Sequence, residues 1–410
     1  MFRLPFSFII TGMVGFVLFH ILSLFSLYEW MNVGLRGPSG WFHTHLFILG
    51  WATMLAMGAV YQLIHVILQS KIYSETLGFI HYAFFTIGLC GLLYGFWSGK
   101  VLMIGGFATV AFIGILLFAW NMAVTLFRAK HWDAITISAA CAVLYLVLTG
   151  MFGMAMGLNF ITGNLASFHE RLLGAHIWLG TIGWFGMLIT GFSYKMLPMF
   201  YLSHHFPIKL QKATLIIWNI GVISGVASFL LGGNVWTKWA SLLIITMAIT
   251  IYNIHLLQIK KHRVKQNPGL GIKWSVYASQ ALMVFAIGLT LYTLLVPDQL
   301  LQSKSVTLAG WVYLGGWVSF TILCYASKIV PFLWWTHKYG PHAGKPGTPL
   351  MADLLNEKKV EYGLILVALF IMFIFAGIAF NAGLFIAIGG SAFSLFSILY
   401  MILISRVFAH

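Results

Sequence analysis

Three histidines lie near the outer ends of two apolar segments, where an ionisable side chain is costly and therefore marks a candidate functional site. They are His43 and His45, in HTHLFILGW, and His176, in HIWLGTIGW. Neutral imidazole binds haem iron and also copper. Because His43 and His45 are two residues apart on a predicted helix, their side chains point about 200° apart. They therefore cannot both bind one iron.

Glycines follow these histidines at helical intervals. Gly50 is seven residues after His43, and Gly180 and Gly183 are four and seven residues after His176. One or two helical turns separate each glycine from its histidine. We expect these glycines to remove the side chains that would collide with a flat macrocycle. The spacing thus favours a haem ligand at His43 and His176, and leaves His45 facing a haem, a propionate or a second site.

Other candidate ligands surround these positions. His169 is seven residues before His176, so the two could share a helix face, and His20 lies in the first apolar segment. Arg171 either pairs locally with Glu170 or meets a haem propionate.

Some histidines and methionines also have a structural interpretation, as hydrogen-bonded residues or as ordinary filler of an apolar core. The histidines to which it applies most are His20, His65, His81 and His255. Thioethers bind Cu(I), so a methionine cluster makes copper a second candidate metal. The cluster is Met151, Met154 and Met156.

The composition indicates that the bilayer is the main solvent. Of the 410 residues, 60% are hydrophobic and 8% are charged, whereas a soluble domain has about 25% charged residues. So few charges cannot cover a surface that faces water. Cysteines occur only in apolar segments, which argues against a disulfide framework. The formal net charge of +15 does not indicate nucleic-acid binding, because the basic residues lie in the loops on one side of the predicted membrane protein.

Twelve apolar segments are long enough to cross a bilayer, which takes about 20 residues. We predict helices at 4–28, 42–68, 76–97, 101–127, 133–160, 171–201, 209–231, 235–258, 273–296, 305–335, 361–381 and 384–405. These helices predict a single membrane domain over residues 1–410, whose outer surface contacts lipid. With the N-terminus inside, 18 Lys and Arg fall at the inner side and 5 at the outer side. This asymmetry predicts a bacterial inner-membrane protein with both termini in the cytoplasm.

The second, sixth and tenth helices look like versions of one another. The aligned positions are His43 with His176, Gly50–Trp51 with Gly183–Trp184 and Gly316–Trp317, and Lys195 with Lys328. Each match has the same offset of 133 residues. We therefore predict three pseudo-repeats of four helices, at about 1–131, 132–265 and 266–405.

Twelve helices in three groups of four, with a histidine near the outer end of the second, resemble the haem-copper oxidase subunit I superfamily. The Trp41-x-His43-x-His45 pattern and the later HIWLGTIG, with His176, are similar to the NnrS family. That family contains twelve-helix haem proteins linked to the nitric oxide response. The resemblance implies an all-α fold and one or two non-covalent haem b groups, with His43 or His45 in the haem role of helix two.

The chain departs from the oxidase pattern in ways that affect function. Helix six lacks the His-Pro-Glu context, helix seven has no histidine, and helix ten has Ala309 where the repeat would place one. The familiar dinuclear centre therefore cannot be assembled. If the haem is six-coordinate, we select His176 as the second ligand. If it is five-coordinate, an open face would bind nitric oxide or another diatomic gas.

Three functions are compatible with these residues. The first is a haem b-binding membrane protein in the nitric oxide response or in electron transfer, with a redox partner or quinone; oxidoreductase turnover stays open. The second is a transport or assembly factor for copper or haem. The third is a channel or scaffold without metal, in which the histidines are structural.

Overall fold

The computed structural model describes residues 2–32, 35–68, 71–129 and 131–410, with no side chain described for residues 32 and 65–68. His65 therefore lies outside the described side chains. The described residues are all-α, with no strand among them, and twelve of their helices are long and apolar enough to cross a membrane. Spans 1 to 12 are Arg3–Ser23, Pro38–Ile64, Glu75–Ser98, Val101–Phe127, Ala134–Thr162, Ala166–Tyr201, Lys209–Leu230, Val235–Lys261, Leu270–Leu295, Ser303–Lys338, Glu357–Ala379 and Gly383–Ala409. The prediction of an all-α membrane protein with twelve candidate spans is confirmed.

Polar side chains fix where several spans begin. Ser74 accepts a hydrogen bond from the Leu77 amide at 3.1 Å, before span 3. Asp133 accepts from the Thr136 amide at 2.9 Å, before span 5. The first amides of a helix have no partner within it, so these oxygens stabilise the helix start.

Three spans contain a π-helical segment, which the sequence did not predict. These segments are Leu46–Thr53 in span 2, Leu179–Phe185 in span 6 and Trp311–Ser319 in span 10. The first two begin 133 residues apart, the offset seen in the sequence. Such segments are rare in helices and are frequent at functional sites. Each of them contains one tryptophan of the matched Gly-Trp pairs, and its side chain is fully buried.

Span 1 is shorter than predicted. It ends at Ser23, and a separate short helix, Leu27–Asn32, follows it. The predicted helix over 4–28 had merged the two, because the residues around the break are also apolar.

The chain divides into two compact units. Unit 1 comprises Met1–Leu63, Asn267–Ala278 and Thr307–His410, and unit 2 comprises Ile64–Gln266 and Ser279–Val306. Unit 1 contains three of the candidate histidines, His20, His43 and His45. Unit 2 contains the other two, His169 and His176.

Candidate functional site

His43 lies in the last α-helical turn before the π segment of span 2. Its Nδ1 is 2.8 Å from the Ser39 carbonyl oxygen. A carbonyl only accepts hydrogen bonds, so Nδ1 carries the proton and the lone pair lies on Nε2. A hydrogen bond at one ring nitrogen commonly fixes the tautomer and orientation of a metal-binding histidine. His43 is half-buried and has the tautomer that binds iron through Nε2.

His45 has the same arrangement one residue before the π segment. Its Nδ1 donates to the Trp41 carbonyl oxygen at 2.8 Å. The lone pair of His45 is therefore also on Nε2. Both histidines of the HTH pattern thus carry their lone pair on Nε2, and residues two apart on a helix point in different directions.

Trp30 contacts the face of the His43 ring. The two ring centroids are 5.1 Å apart and the planes differ by 5°, a stacked arrangement. Trp30 is 9% exposed. The His43 ring is therefore restrained at its edge by Ser39 and on its face by Trp30. Trp30 could not be predicted from the sequence, because a tryptophan in a connecting segment gives no sign of which side chain it contacts.

His20 is completely buried in unit 1. Its Nδ1 is 3.3 Å from the Ser394 hydroxyl of span 12. Its Nε2 has no hydrogen-bond partner among the described residues. The rings of Phe16 and Phe393 meet it edge-on, with centroids 4.3 and 4.9 Å away. A buried polar atom without a partner costs roughly 1–3 kcal/mol, so His20 stays a candidate ligand.

His176 of unit 2 is fixed by span 5. Its Nδ1 donates to the Thr149 carbonyl oxygen at 2.9 Å, which again places the lone pair on Nε2. A Cβ at Gly153 would lie 3.0 Å from Cε1 of the His176 ring. Gly153 of span 5 therefore makes room for this imidazole, a role that the sequence analysis did not assign.

The glycines after His176 pack against span 5. A Cβ at Gly180 would lie 3.1 Å from Cγ2 of Thr149, and a Cβ at Gly183 would lie 2.8 Å from Cβ of Tyr145. In span 2, the Gly50 carbonyl lies directly against Gly15 of span 1. The structure thus shows these glycines in helix packing; the clearance that we expect them to give a haem plane stays a prediction.

Arg171 and His169 have local partners at the start of span 6. The Arg171 guanidinium lies 5.2 Å from the Phe168 ring centroid and donates to the Leu230 carbonyl at 3.5 Å. The His169 Nδ1 is 3.5 Å from Nδ2 of Asn159. Arg171 therefore caps the end of span 7, which gives it a structural role; its predicted contact with a propionate stays a prediction.

The candidate ligands of the described residues are single imidazoles and not a cluster of protein donors. Within the described residues, no group of three or more His, Cys, Asp or Glu side chains comes together. A metal held only by protein usually takes about four such ligands. Haem iron takes one or two axial ligands, because the macrocycle supplies the other four. An imidazole with its lone pair on Nε2, as in His43 and His176, is the type of donor that haem iron takes.

Compared with known protein families and with curated proteins, the chain matches none of them.

Proposed function

We propose that this chain is a haem b-binding membrane protein that acts in the nitric oxide response or in electron transfer. One observation carries the proposal: His43 and His176 each lie three residues before a π-helical segment, with Nδ1 fixed by a backbone carbonyl. Two half-buried ionisable side chains at the same position relative to a π-helical segment favour a shared chemical role over separate structural ones.

The same segments support the proposed threefold repeat, and the oxidase-like arrangement is a further part of this proposal. The π segment of span 10 resembles the other two in length and in its buried Trp317, and it is preceded by Ala309 in place of a histidine. In this proposal the third repeat keeps the helix geometry but has lost its ligand. A dinuclear centre for oxygen reduction is therefore not part of the proposed function.

The roles of the protein residues follow from their geometry. A bound haem supplies one-electron exchange and an iron that binds diatomic gases. Ser39 and Thr149, through their carbonyl oxygens, hold the imidazoles in one tautomer and raise their basicity as ligands. The buried aromatic residues around His20 and Trp51 exclude water from this part of unit 1.

The test is the absorption spectrum of the protein purified in mild detergent, oxidised and dithionite-reduced, with pyridine haemochromogen and metal analysis. We expect a sharp reduced α-band and about one or two haems per chain. H43A and H176A should each retain less haem than H204A, because each removes a proposed haem ligand. H204A is the matched control, since His204 is exposed in the loop after span 6.

Each outcome decides between the candidate functions. A colourless wild-type protein without iron would reject the haem proposal. Copper retained without haem would favour a transport or assembly factor. Equal haem content in H43A, H176A and H204A would overturn the ligand assignment while leaving the haem itself in place.

A further inference from the structure

The short helix that carries Trp30 contacts spans 1 and 12 of unit 1. It lies on the short helix Leu27–Asn32. The preceding Leu27 packs on Gly390, where an added Cβ would lie 3.0 Å from Cβ of Leu27. The ring of Phe19 meets Trp30 at 73°, with centroids 6.2 Å apart. Trp30 is therefore a buried, anchored side chain and does not depend on His43 for its position.

The stack completes the restraint on the His43 ring. The hydrogen bond to Ser39 acts in the plane of the imidazole, at its Nδ1 edge. That bond restrains the ring only at Nδ1, so on its own it resists a tilt of the ring plane weakly. Trp30 lies parallel to the ring, at an interplanar angle of 5°, and blocks this tilt from one side.

We infer that Trp30 is a positioning residue for His43, which sets the orientation of its imidazole plane and stabilises positive charge on it. This inference rests on the proposed haem function. An indole presents the negative face of its π-system to the ring stacked on it. An imidazole bound to ferric iron carries more positive charge than one bound to ferrous iron. Trp30 thus favours the ferric state and holds one orientation of the ligand plane.

The experiment compares W30L and W30F in the purified haem protein. We expect W30L to keep its haem, because the His43 ligand and its hydrogen bond to Ser39 remain. Its reduction midpoint should rise, since the charge-stabilising face is lost. Its ferric electron paramagnetic resonance spectrum should shift and broaden, because the imidazole plane is no longer fixed. W30F retains an aromatic face and should lie between W30L and the wild type.

A matched control tests for general effects of losing a tryptophan at the membrane interface. Trp97 is 73% exposed at the end of span 3, so W97L should leave the midpoint and the spectrum unchanged. If W30L does not fold, W30F still tests the inference through its own smaller shift in the same direction.

The outcomes separate this inference from the proposed function. Wild-type protein without haem would remove the function itself, and haem retained fully by H43A would remove the assignment of His43 as a ligand. A His43-dependent haem with the same midpoint and spectrum in the wild type, W30L and W30F would overturn only the role of Trp30. A lower midpoint in W30L would contradict the charge argument.

Discussion

At the residue scale, a buried tryptophan donates a hydrogen bond to the backbone of one π segment. The Trp218 indole of span 7 donates to the Ile182 carbonyl oxygen at 2.8 Å, inside the π segment of span 6. A π turn shifts hydrogen bonds from the i−4 to the i−5 residue, so carbonyls near its ends lose their regular partners. A side chain from the neighbouring span supplies the donor here. Gly186 gives the Trp218 ring the space that it needs.

We predict that W218F destabilises the protein more than W184F does. Both tryptophans are almost fully buried, so the loss of ring volume is similar. Only Trp218 donates to a described acceptor; the Trp184 Nε1 has no hydrogen-bond partner among the described residues. An unsatisfied carbonyl costs roughly 1–3 kcal/mol. Thermal unfolding in detergent should show the lower midpoint for W218F, and equal midpoints would contradict this role.

Residue chemistry was only partly predictable from the sequence. His43 and His176 stand out because ionisable groups in apolar segments are rare. Ser39 and Thr149 do not stand out, because they act through carbonyl oxygens that every residue has. The contact of Trp30 with His43 depends on how a short helix packs, which sequence spacing does not give.

At the scale of elements, glycines allow spans 1 and 2 to pack closely. A Cβ at Gly15 would overlap the Gly50 carbonyl oxygen, and a Cβ at Gly12 would lie 3.0 Å from the Leu55 amide. Small residues of this kind let helix backbones approach in membranes, where van der Waals packing drives association. The π segment of span 2 is thus packed directly against the backbone of span 1.

We predict that G15A destabilises unit 1, because the added methyl group must push the two backbones apart. The expected loss is roughly 1–3 kcal/mol, as for other overpacked cores. G106A in span 4 is the matched control. A Cβ there meets nothing within 4 Å, so its effect should stay within about 0.5 kcal/mol. An equal lowering of the unfolding midpoint in G15A and G106A would contradict this packing role of Gly15.

The sequence predicted the spans better than their internal geometry. Length and apolar content place all twelve helices, because the bilayer imposes both. The π segments escape this reasoning, since most of spans 2 and 6 is buried. A helix that is apolar on all sides has no separate polar and apolar faces. The extra residue of a π turn therefore does not change its hydrophobic pattern.

At the scale of the whole molecule, the distribution of charge predicts the orientation in the membrane. The 23 Lys and Arg outnumber the 8 Asp and Glu, and 18 of these cations belong to one side in the proposed topology. A lysine or arginine placed at the centre of a span costs about 2.5–3.5 kcal/mol, and positively charged loops are retained on the cytoplasmic side. Many cations on one side therefore make the inverted orientation unfavourable.

Cysteine labelling tests this orientation directly. Lys100 lies exposed between spans 3 and 4, and Lys261 is the exposed last residue of span 8. Each would be replaced by cysteine in a background with Cys90, Cys141 and Cys324 changed to alanine. A maleimide that cannot cross membranes should label K100C in intact spheroplasts, and should label K261C only after lysis. The positive-inside asymmetry requires this order, because Lys261 belongs to the densest cationic segment, 258–265.

The reverse labelling would contradict the predicted topology and change the functional argument with it. In the proposed orientation, His43 lies in the outer half of span 2, where a haem would exchange electrons or gas from the outer side. In the inverted orientation, the same histidine would face cytoplasmic partners. The hydrogen bond to Ser39 and the stack with Trp30 would be unaffected, because both lie within unit 1. Labelling therefore decides which side of the membrane the proposed site serves, independently of whether haem binds there.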